Sequence, residues 1–337
     1  MQAMKVFLKY IMIPLLLALA CVAGAAWYWA KTPVHMESDR VDYLVESGSS
    51  PRAVAKNLQN NGVKINERAF SLLARISKQD TKIKAGAYEI VRGDTPYTIL
   101  QRMVDGHMLQ SSVTLIEGWS FKRIVKALYE HPDIANSIQN ISTKELLEVL
   151  NINHSSPEGM FYPDTYIFVP GTKDIDILRR AHIATNQVLT KEWKNRSDNL
   201  PLKSPYEALI LASIVEKETG HGEDRFRVAG VFINRLRINM ALQTDPTVIY
   251  GMGDKYNGRI RKKDLQTDTP WNTYTRVGLP PTPIASPGRA AIHAALNPEE
   301  HNYMYFVSRG DGTSEFSKTL AEHNRAVAKY ILRRKKN

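Results

Sequence analysis

A charge-free apolar stretch near the N-terminus constrains this chain more than any other feature of its sequence. Residues 10–30 contain no Asp, Glu, Lys or Arg, and Lys9 and Lys31 bracket them. At about 1.5 Å per residue a helix of this length covers roughly 31 Å, about one hydrocarbon core. Aromatic side chains stand at its far end, Trp27–Trp29, where they suit a membrane interface. Residues 10–30 therefore predict a transmembrane anchor.

The charges around this span predict its orientation. Lys5 and Lys9 precede the span and no acidic residue does, which favours a cytoplasmic tail at residues 1–9 and export of the remainder. We expect a single-pass protein of the inner (cytoplasmic) membrane whose main part is periplasmic. A cleaved signal peptide is the alternative, because Ala23-Gly24-Ala25 resembles a cleavage site, but a long run ending in aromatics favours an anchor. Cys21 is the only cysteine, so no intrachain disulfide can form.

A short strand, a glycine and a helix follow one another three times after the anchor. In each copy a Ser or Thr that can cap the helix comes after the glycine, and apolar residues then recur at helical spacing. The copies are Tyr43–Leu58, Tyr88–Met103 and Val113–Leu128, with glycines at Gly48, Gly93 and Gly118. The first two copies, with a predicted helix at Glu67–Lys78 between them, resemble a LysM module, a β-α-α-β unit that binds glycans containing N-acetylglucosamine. We expect this LysM-like module at residues 39–110; a purely structural spacer is the alternative.

The remainder of the chain, residues 111–337, mixes helical and extended segments in irregular order. Proline excludes regular structure from Leu279–Pro283. A doubly wound sheet would need regular alternation of strands and helices, so the sequence predicts an α+β fold with a larger mixed domain at residues 111–337. Its predicted helices are Thr143–Leu150, Ile175–Glu192, Ser204–Glu218 and Phe226–Arg237, and Tyr303–Val307 is a predicted strand.

Composition and motifs exclude several classes of function. The net charge of +11 favours acidic partners, but no zinc-finger, basic-zipper or RNA-recognition pattern is present, and export makes nucleic acid an unsuitable partner. The glycines around Gly251–Gly253 match neither a dinucleotide fingerprint nor a P-loop. The nine histidines lack paired metal-ligand spacing, and no G-x-S-x-G elbow occurs. The sequence predicts no metal and no cofactor.

An apolar helix that ends in a carboxylate is the strongest candidate for chemistry. At about 100° per residue, Leu211, Val215 and Glu218 share one face, whereas Glu216 points roughly 160° away from Glu218. A carboxylate on an apolar surface resists ionisation, so its pKa rises, and a carboxyl that stays protonated near neutral pH can serve as a general acid. The alternative is a helix-end glutamate that reaches solvent once Thr219-Gly220 ends the helix.

Several long motifs, in order along the chain, carry a family resemblance. They are EGMFYPDTY at Glu158–Tyr166, the Leu209–Gly220 helix, VAGVFINRLRINMALQTDPTVIYGMG at Val228–Gly253, NTYTRVGLPPTPIASPGRAAIHAALNP at Asn272–Pro298, YMYFVS at Tyr303–Ser308 and FSKTLAEHN at Phe316–Asn324. Together they strongly resemble the YceG-like family, the endolytic murein transglycosylases. The resemblance extends from about Val41 to the C-terminus.

The resemblance implies a membrane-anchored lytic transglycosylase. Such an enzyme cleaves the MurNAc-GlcNAc β-1,4 bond inside nascent peptidoglycan strands, leaves 1,6-anhydroMurNAc ends and helps to set strand length. In this family the second Glu of the E-K-E segment is the catalytic acid/base, which is Glu218 here. An ordinary glycosidase needs two carboxylates, but here the attacking group is the substrate's own muramyl C6 hydroxyl, so one carboxyl suffices.

Six further polar residues lie in the family-like motifs and are candidates for binding substrate. Asp245 precedes a proline and has helix capping as an alternative role, and Asn234-Arg235 have structural hydrogen bonding as theirs. Two aromatic residues, Tyr162 and Trp271, are candidates for stacking on sugars or for core packing. The six substrate-binding candidates are Asn234, Arg235, Gln243, Asp245, Asn272 and Tyr274.

The expected partners are peptidoglycan strands, whose peptide carboxylates fit a basic chain, and the resemblance adds peptidoglycan synthases (penicillin-binding proteins). Two alternatives remain. One is a non-enzymatic peptidoglycan-binding scaffold for these synthases. The other is a hydrolase that uses water, with Glu223 or Asp224 as its second carboxylate.

Overall fold

The computed structural model describes residues 12–218, 222 and 224–332. The chain forms two compact units, one from residues 1–111 with 167–171 and the other from residues 112–166 with 172–337. Helices and strands mix in both, so the predicted α+β class is confirmed. The predicted cytoplasmic tail, residues 1–9, lies outside the described residues.

The first unit begins with helix α1, Ile13–Lys31, which covers most of the predicted anchor. Among the described residues it is the one helix long and apolar enough to cross a membrane. Its apolar side chains are almost all exposed, and Ala30 near its end is buried. An exposed apolar helix suits a lipid environment.

Two short antiparallel pairs and three helices complete this unit. Strand β1 (His35–Met36) pairs with β3 (Val63–Lys64), and β2 (Arg40–Val45) pairs with β4 (Gly86–Val91), with Tyr43 opposite Tyr88. The helices are α2 (Pro51–Asn60), α3 (Glu67–Ile76) and α4 (Pro96–Asp105). Their apolar faces bury one core, which includes Leu58, Phe70, Tyr88, Ile99 and Met103. The elements β2, α2, α3 and β4 follow one another in the predicted order of strand, helix, helix and strand. The likeness of this module to LysM and its binding of glycan remain predictions.

The predicted strand–glycine–helix repeat is confirmed in all three copies. The helices that follow the glycines begin after Ser50, Thr95 and Ser120, whose hydroxyls each accept a hydrogen bond from the backbone N–H three residues later. Gly48 and Gly93 have φ of 80° and 101°, a region that glycine adopts without steric cost. The glycine turns the chain and the hydroxyl then caps the next helix.

The second unit is mainly helical. Its helices are α5 (Phe121–Tyr129), α6 (Thr143–Val149), α7 (Asp174–Lys194), α8 (Pro205–Glu218), α9 (Arg225–Arg237), α10 (Asp245–Met252), α11 (Lys262–Gln266), α12 (Arg289–Leu296) and α13 (Leu320–Val327). Its strands include β6 (Ile134–Ala135), which is parallel to β8 (Thr172–Lys173), and β9 (Tyr305–Ser308), which is antiparallel to β10 (Ser314–Ser317). Two further strands are β5 (Ser111–Thr114) and β7 (Thr165–Phe168). The four predicted helices and the predicted strand all occur, with ends shifted by two residues or fewer.

Helix α8 lies at the centre of this unit. It packs against α7, α9, α10 and α12, and every residue from Ala208 to Val215 is buried. The sequence prediction of a single apolar stripe was therefore too narrow, because neighbours cover this helix on all sides. The proline-rich segment is irregular, as predicted, and the N–H of Ile284 donates to the Ser213 hydroxyl at 3.0 Å. Polar side chains reach the surface only at the two ends of the helix, at Glu207 in the first turn and at Glu216–Glu218 in the last.

Candidate active site

Glu218 is the last residue of α8, three positions after Val215, where the buried stretch ends. Its Oε1 accepts a hydrogen bond from the hydroxyl of Thr244. Burial raises the pKa of the Glu218 carboxyl, Asp245 raises it further by charge repulsion, and the Thr244 hydrogen bond and the Arg235 guanidinium act against them. The net direction is upward, as the apolar helix predicted. Glu218 can therefore hold a proton closer to neutral pH than an ordinary glutamate.

Thr244 reaches Glu218 because the start of α10 is fixed by a neighbouring loop. The N–H of Gln243 donates to the carbonyl of Thr273 at 3.1 Å, and the N–H of Thr244 donates to the Thr273 hydroxyl at the same distance. Gln243 adopts φ 49°, an uncommon conformation for a residue with a side chain, and its side chain is exposed. The loop thus sets the direction in which Thr244 and Asp245 leave the turn.

Asp245 and Tyr274 form a pair beside Glu218. The Tyr274 hydroxyl donates to Asp245 Oδ1 at 2.7 Å. Thr244 occupies the N-cap of α10 and Asp245 is the first residue of the helix, so Asp245 is not the N-cap that the sequence allowed. Burial raises the pKa of Tyr274, with further upward contributions from Asp245 and Glu218. Asp245 is exposed and Tyr274 half-buried, so both can be reached from solvent.

Asn234 and Arg235 form hydrogen bonds within the fold, which was the alternative to substrate binding for these two residues. The Asn234 amide donates to the carbonyls of His301 and Tyr303 at 2.7 and 3.1 Å. Arg235 is 6% exposed, and its guanidinium donates to the carbonyls of Met304 and Leu242, both at 2.7 Å. Arg235 nevertheless acts on the site electrostatically, because its charge lowers the pKa of Glu218.

Asn272 is completely buried and organises the loop that carries Tyr274. Its amide donates to the carbonyls of Leu265 and Thr267 at 3.0 and 2.7 Å, and its Oδ1 accepts from the N–H of Tyr274 at 2.9 Å. These hydrogen bonds occupy both the amide nitrogen and the oxygen of the Asn272 side chain. The structure thus gathers Glu218, Arg235, Asp245 and Tyr274 into one electrostatic cluster and places Asn234 and Asn272 in its supports.

Glu216 contacts a different part of the fold from Glu218, as the helical geometry predicted. Its Oε2 accepts from the N–H of Gly288 at 3.0 Å, where α12 begins. Burial raises the pKa of Glu216, the Gly288 hydrogen bond lowers it, and Glu117 raises it by repulsion. Glu216 is therefore a half-buried helix-capping acceptor rather than a solvent-facing residue.

The remaining sequence candidates are partly engaged within the fold. The Trp271 indole donates to the Thr282 hydroxyl at 2.9 Å, and Tyr162 is half-buried. Asp224 is buried at the N-cap of α9, whereas Glu223 lies outside the described residues. In the described ranges no group of three His, Cys, Asp or Glu side chains is placed to hold a metal ion.

Two residues, Thr244 in the site and Glu158 elsewhere in the same unit, were not singled out from the sequence. Thr244 precedes Asp245-Pro246, and a threonine before a proline at the second helical position is a recognisable N-cap signal, although nothing local points to Glu218. Glu158 is 4% exposed and accepts from the N–H of Phe121 at 2.9 Å. Burial raises the pKa of Glu158 to about 7, against hydrogen bonds that lower it. No pattern around Glu158 predicts that burial.

Comparisons with known proteins identify the family. The sequence model of the YceG-like family matches residues 43–329. An endolytic murein transglycosylase of Bacillus subtilis (strain 168) is 32% identical over 331 residues, which cover 92% of this chain and 91% of that protein. An endolytic murein transglycosylase of Streptococcus pneumoniae serotype 2 (strain D39) is 26% identical over 85% of this chain and 58% of its own length.

A solved structure adds agreement in fold. The crystal structure of a yceG-like protein from Listeria monocytogenes aligns with a TM-score of 0.51 at 30% identity, over 85% of this chain and 98% of that one. The resemblance predicted from the motifs is confirmed, because the family match spans both structural units and most of the chain. This chain therefore belongs to the YceG-like family.

Proposed function

We propose that this chain is a membrane-anchored lytic transglycosylase that cleaves the MurNAc-GlcNAc β-1,4 bond inside nascent peptidoglycan strands. The observation that carries the proposal is the Glu218 carboxyl, which sits at the end of a buried helix with a raised pKa beside exposed polar groups. Two relatives named endolytic murein transglycosylase support the reaction class. A single proton-bearing carboxyl meets the chemical requirement of this reaction.

In the first step the protonated Glu218 donates its proton to the glycosidic oxygen, and the bond from MurNAc C1 to that oxygen breaks. The sugar develops positive charge at C1. The C6 hydroxyl of the same MurNAc then attacks C1, and Glu218, now a carboxylate, accepts the hydroxyl proton. The products are a 1,6-anhydroMurNAc end and a free GlcNAc hydroxyl, so no water is consumed. Because the attack is intramolecular, its effective concentration is high.

The polar groups around Glu218 have complementary roles in this proposal. The Asp245 carboxylate, exposed and close enough to raise the pKa of Glu218, favours the protonated acid before cleavage and stabilises the cationic sugar afterwards. Thr244 and Arg235 stabilise the Glu218 carboxylate once the proton has left. Gln243, Asp245 and Tyr274 offer side chains accessible to the strand.

Helix α1 supports a single membrane span, and the lysines that precede it favour an N-terminus in the cytoplasm and a catalytic unit in the periplasm. A tether of this kind keeps the enzyme beside newly made strands, where cleavage would limit strand length and where peptidoglycan synthases are natural partners. The strand–helix–helix–strand module at residues 39–110 would then bind glycan or act as a spacer. N-terminal sequencing tests the anchor: a mature chain that starts near Ala26 would exclude it.

The reaction is tested by mass spectrometry of the ends produced from purified peptidoglycan strands. A transglycosylase yields 1,6-anhydroMurNAc ends, a hydrolase yields reducing ends, and a non-enzymatic scaffold yields no new ends. Product lengths separate internal cleavage from trimming, since internal cuts shorten the average strand quickly and release few small fragments. Reducing ends, or no new ends, would overturn the proposal.

A further inference from the structure

A basic cavity opens at the C-terminal end of α10, away from the end that carries Thr244. It has a volume of about 380 Å³, and its lining includes the cations Lys255, Arg259, Arg261 and Lys263. All four cationic residues are exposed. None of them forms an ion pair with a carboxylate in the part of the chain that the structure describes. The cavity therefore has an excess of positive charge, four cations against the single carboxylate of Asp264.

The three nearby acids have other hydrogen-bond partners, so none of them pairs with these four cations. Asp254 pairs with Lys122 at 2.6 Å. Asp264 lines the cavity, but its Oδ2 accepts from the backbone N–H of Arg261 at 2.8 Å. Asp268 pairs with the Arg276 guanidinium, which donates to both of its oxygens at 2.9 and 2.8 Å. Three carboxylates border the cationic segment and each has another partner.

The lining of the cavity also includes a hydroxyl that has no hydrogen-bond partner. Thr269 lines it, and its Oγ1 is buried without a hydrogen-bond partner. A side-chain carbon at Gly251 would lie 2.6 Å from this oxygen, so the absence of a side chain there leaves the hydroxyl room. Buried polar atoms normally have partners. A hydroxyl beside four cations is suited to donate to a bound anion.

We propose that this cavity binds a carboxylate of the peptide stems carried by the glycan strand, a proposal that rests on the function proposed above. Helix α10 connects the two places: its first residue, Asp245, lies beside Glu218, and Val248, Gly251 and Met252 line the cavity. Eight residues span about 12 Å at 1.5 Å each. A strand held at Glu218 therefore carries its peptides within reach of the cations. Stem peptides bear several carboxylates, whereas the one carboxyl of each MurNAc, on its lactyl group, is uncharged while it is amide-linked to the peptide.

The test uses the full chain in detergent and a variant that removes three cavity charges, Arg259→Gln/Arg261→Gln/Lys263→Gln. A matched control, Lys191→Gln/Lys194→Gln/Lys203→Gln, removes three exposed charges from the same unit, so both variants change the net charge equally. Binding is measured in a Glu218→Gln background, which keeps the strands intact. The probes are strands that carry their peptides and the same strands stripped by an amidase, with the lactyl carboxyl that the amidase frees on each MurNAc blocked as an amide.

We expect the parent and the control to bind peptide-bearing strands more tightly than stripped strands, and the cavity variant to lose about tenfold or more of that preference, as for loss of a charge-assisted hydrogen bond. The preference should also weaken as salt rises from about 50 to about 300 mM. Equal preference in the cavity variant and the control would overturn the proposal.

Two further measurements distinguish the source of the anion and the dependence on catalysis. Inorganic phosphate that competes as well as free stem peptide at equal concentration would identify a phosphate site and overturn the carboxylate assignment. If the wild-type chain produces no anhydro ends while the cavity variant still loses its preference for peptide-bearing strands, the proposed reaction fails and the cavity assignment stands.

Discussion

The hydroxyl of Thr244 donates a hydrogen bond to the carboxylate of Glu218 and so connects the N-cap of α10 to the C-terminal end of α8. Both residues are held in position by buried parts of the fold. Thr244 is 2% exposed and is fixed through its N–H to Thr273, and Glu218 ends a helix that has eight consecutive buried residues, Ala208–Val215. A proton donor on such rigid supports keeps its direction while substrate and solvent exchange in front of it.

Glu218→Gln should abolish the formation of 1,6-anhydroMurNAc ends while leaving the fold intact. The amide has nearly the same size but cannot deliver a proton to the leaving oxygen. General acid–base catalysis contributes about 10²- to 10⁴-fold, and a single-carboxyl mechanism should lose at least that much. The unfolding free energy should stay equal or rise, because an ionisable group leaves a buried position.

Glu216→Gln is the control for this variant. Glutamine can still accept the hydrogen bond from Gly288, and it removes the repulsion with Glu117, so we expect most of the activity to remain. Anhydro ends are counted for both variants on the same strands. Loss of activity in Glu216→Gln with retention in Glu218→Gln would contradict the assignment.

Thr244→Val should move the pH dependence of cleavage. The valine fills similar space but removes the donor that lowers the pKa of Glu218, so this pKa should rise further. The alkaline limb of the rate profile, where the acid loses its proton, should shift to higher pH, and kcat should fall as the carboxyl loses its orientation. Thr244→Ser restores the donor and should restore the profile. An unchanged profile in Thr244→Val would show that this hydrogen bond does not tune the acid.

Asn272→Ala and Gln243→Ala should separate a support from a substrate contact. Asn272 donates to two carbonyls and is fully buried, so its removal should cost about 2–4 kcal/mol of unfolding free energy. Gln243 has an exposed side chain, so Gln243→Ala should alter stability by less than about 0.5 kcal/mol while raising KM for strands. Urea unfolding and steady-state kinetics distinguish the two; the reverse pattern would exchange their roles.

Local signals in the sequence predicted the parts of the fold that local physics decides. The helix caps at Ser50, Thr95 and Ser120 and the positive φ at Gly48 depend on residues within four positions of each other. The raised pKa of Glu218 could also be predicted, because apolar neighbours at helical spacing are enough to indicate burial.

Tertiary contacts decided what the sequence left open. Arg235 was a candidate for binding substrate, but carbonyls from two other segments surround its guanidinium. The partnership of Thr244 with Glu218 spans 26 residues and depends on how α8 and α10 pack. The burial of Glu158 has the same origin, since its backbone partner Phe121 is 37 positions away.

Glu158 should make the stability of this chain depend on pH in a specific direction. Its pKa rises from an ordinary 4.5 to about 7 in the folded state, so folding favours the protonated form. The advantage is complete below the unfolded pKa and is lost as pH rises through the folded pKa, between about 4.5 and 7. A shift of this size corresponds to about 3 kcal/mol.

The measurement is the difference in unfolding free energy between Glu158→Gln and the parent, taken from urea unfolding in detergent at about pH 4 and about pH 8. The titrations of all other groups cancel in this difference. The unfolding free energy of the variant should therefore rise relative to that of the parent as pH rises. Glutamine still accepts from Phe121, so the fold is kept. Glu145→Gln is the control, for which the opposite sign is expected. Glu145 is exposed, and the N–H of Ser142 lowers its pKa. The unfolding free energy of this variant should therefore fall relative to that of the parent as pH rises. A flat difference for Glu158→Gln would mean that water reaches this carboxyl in solution, and that its burial does not hold the proton.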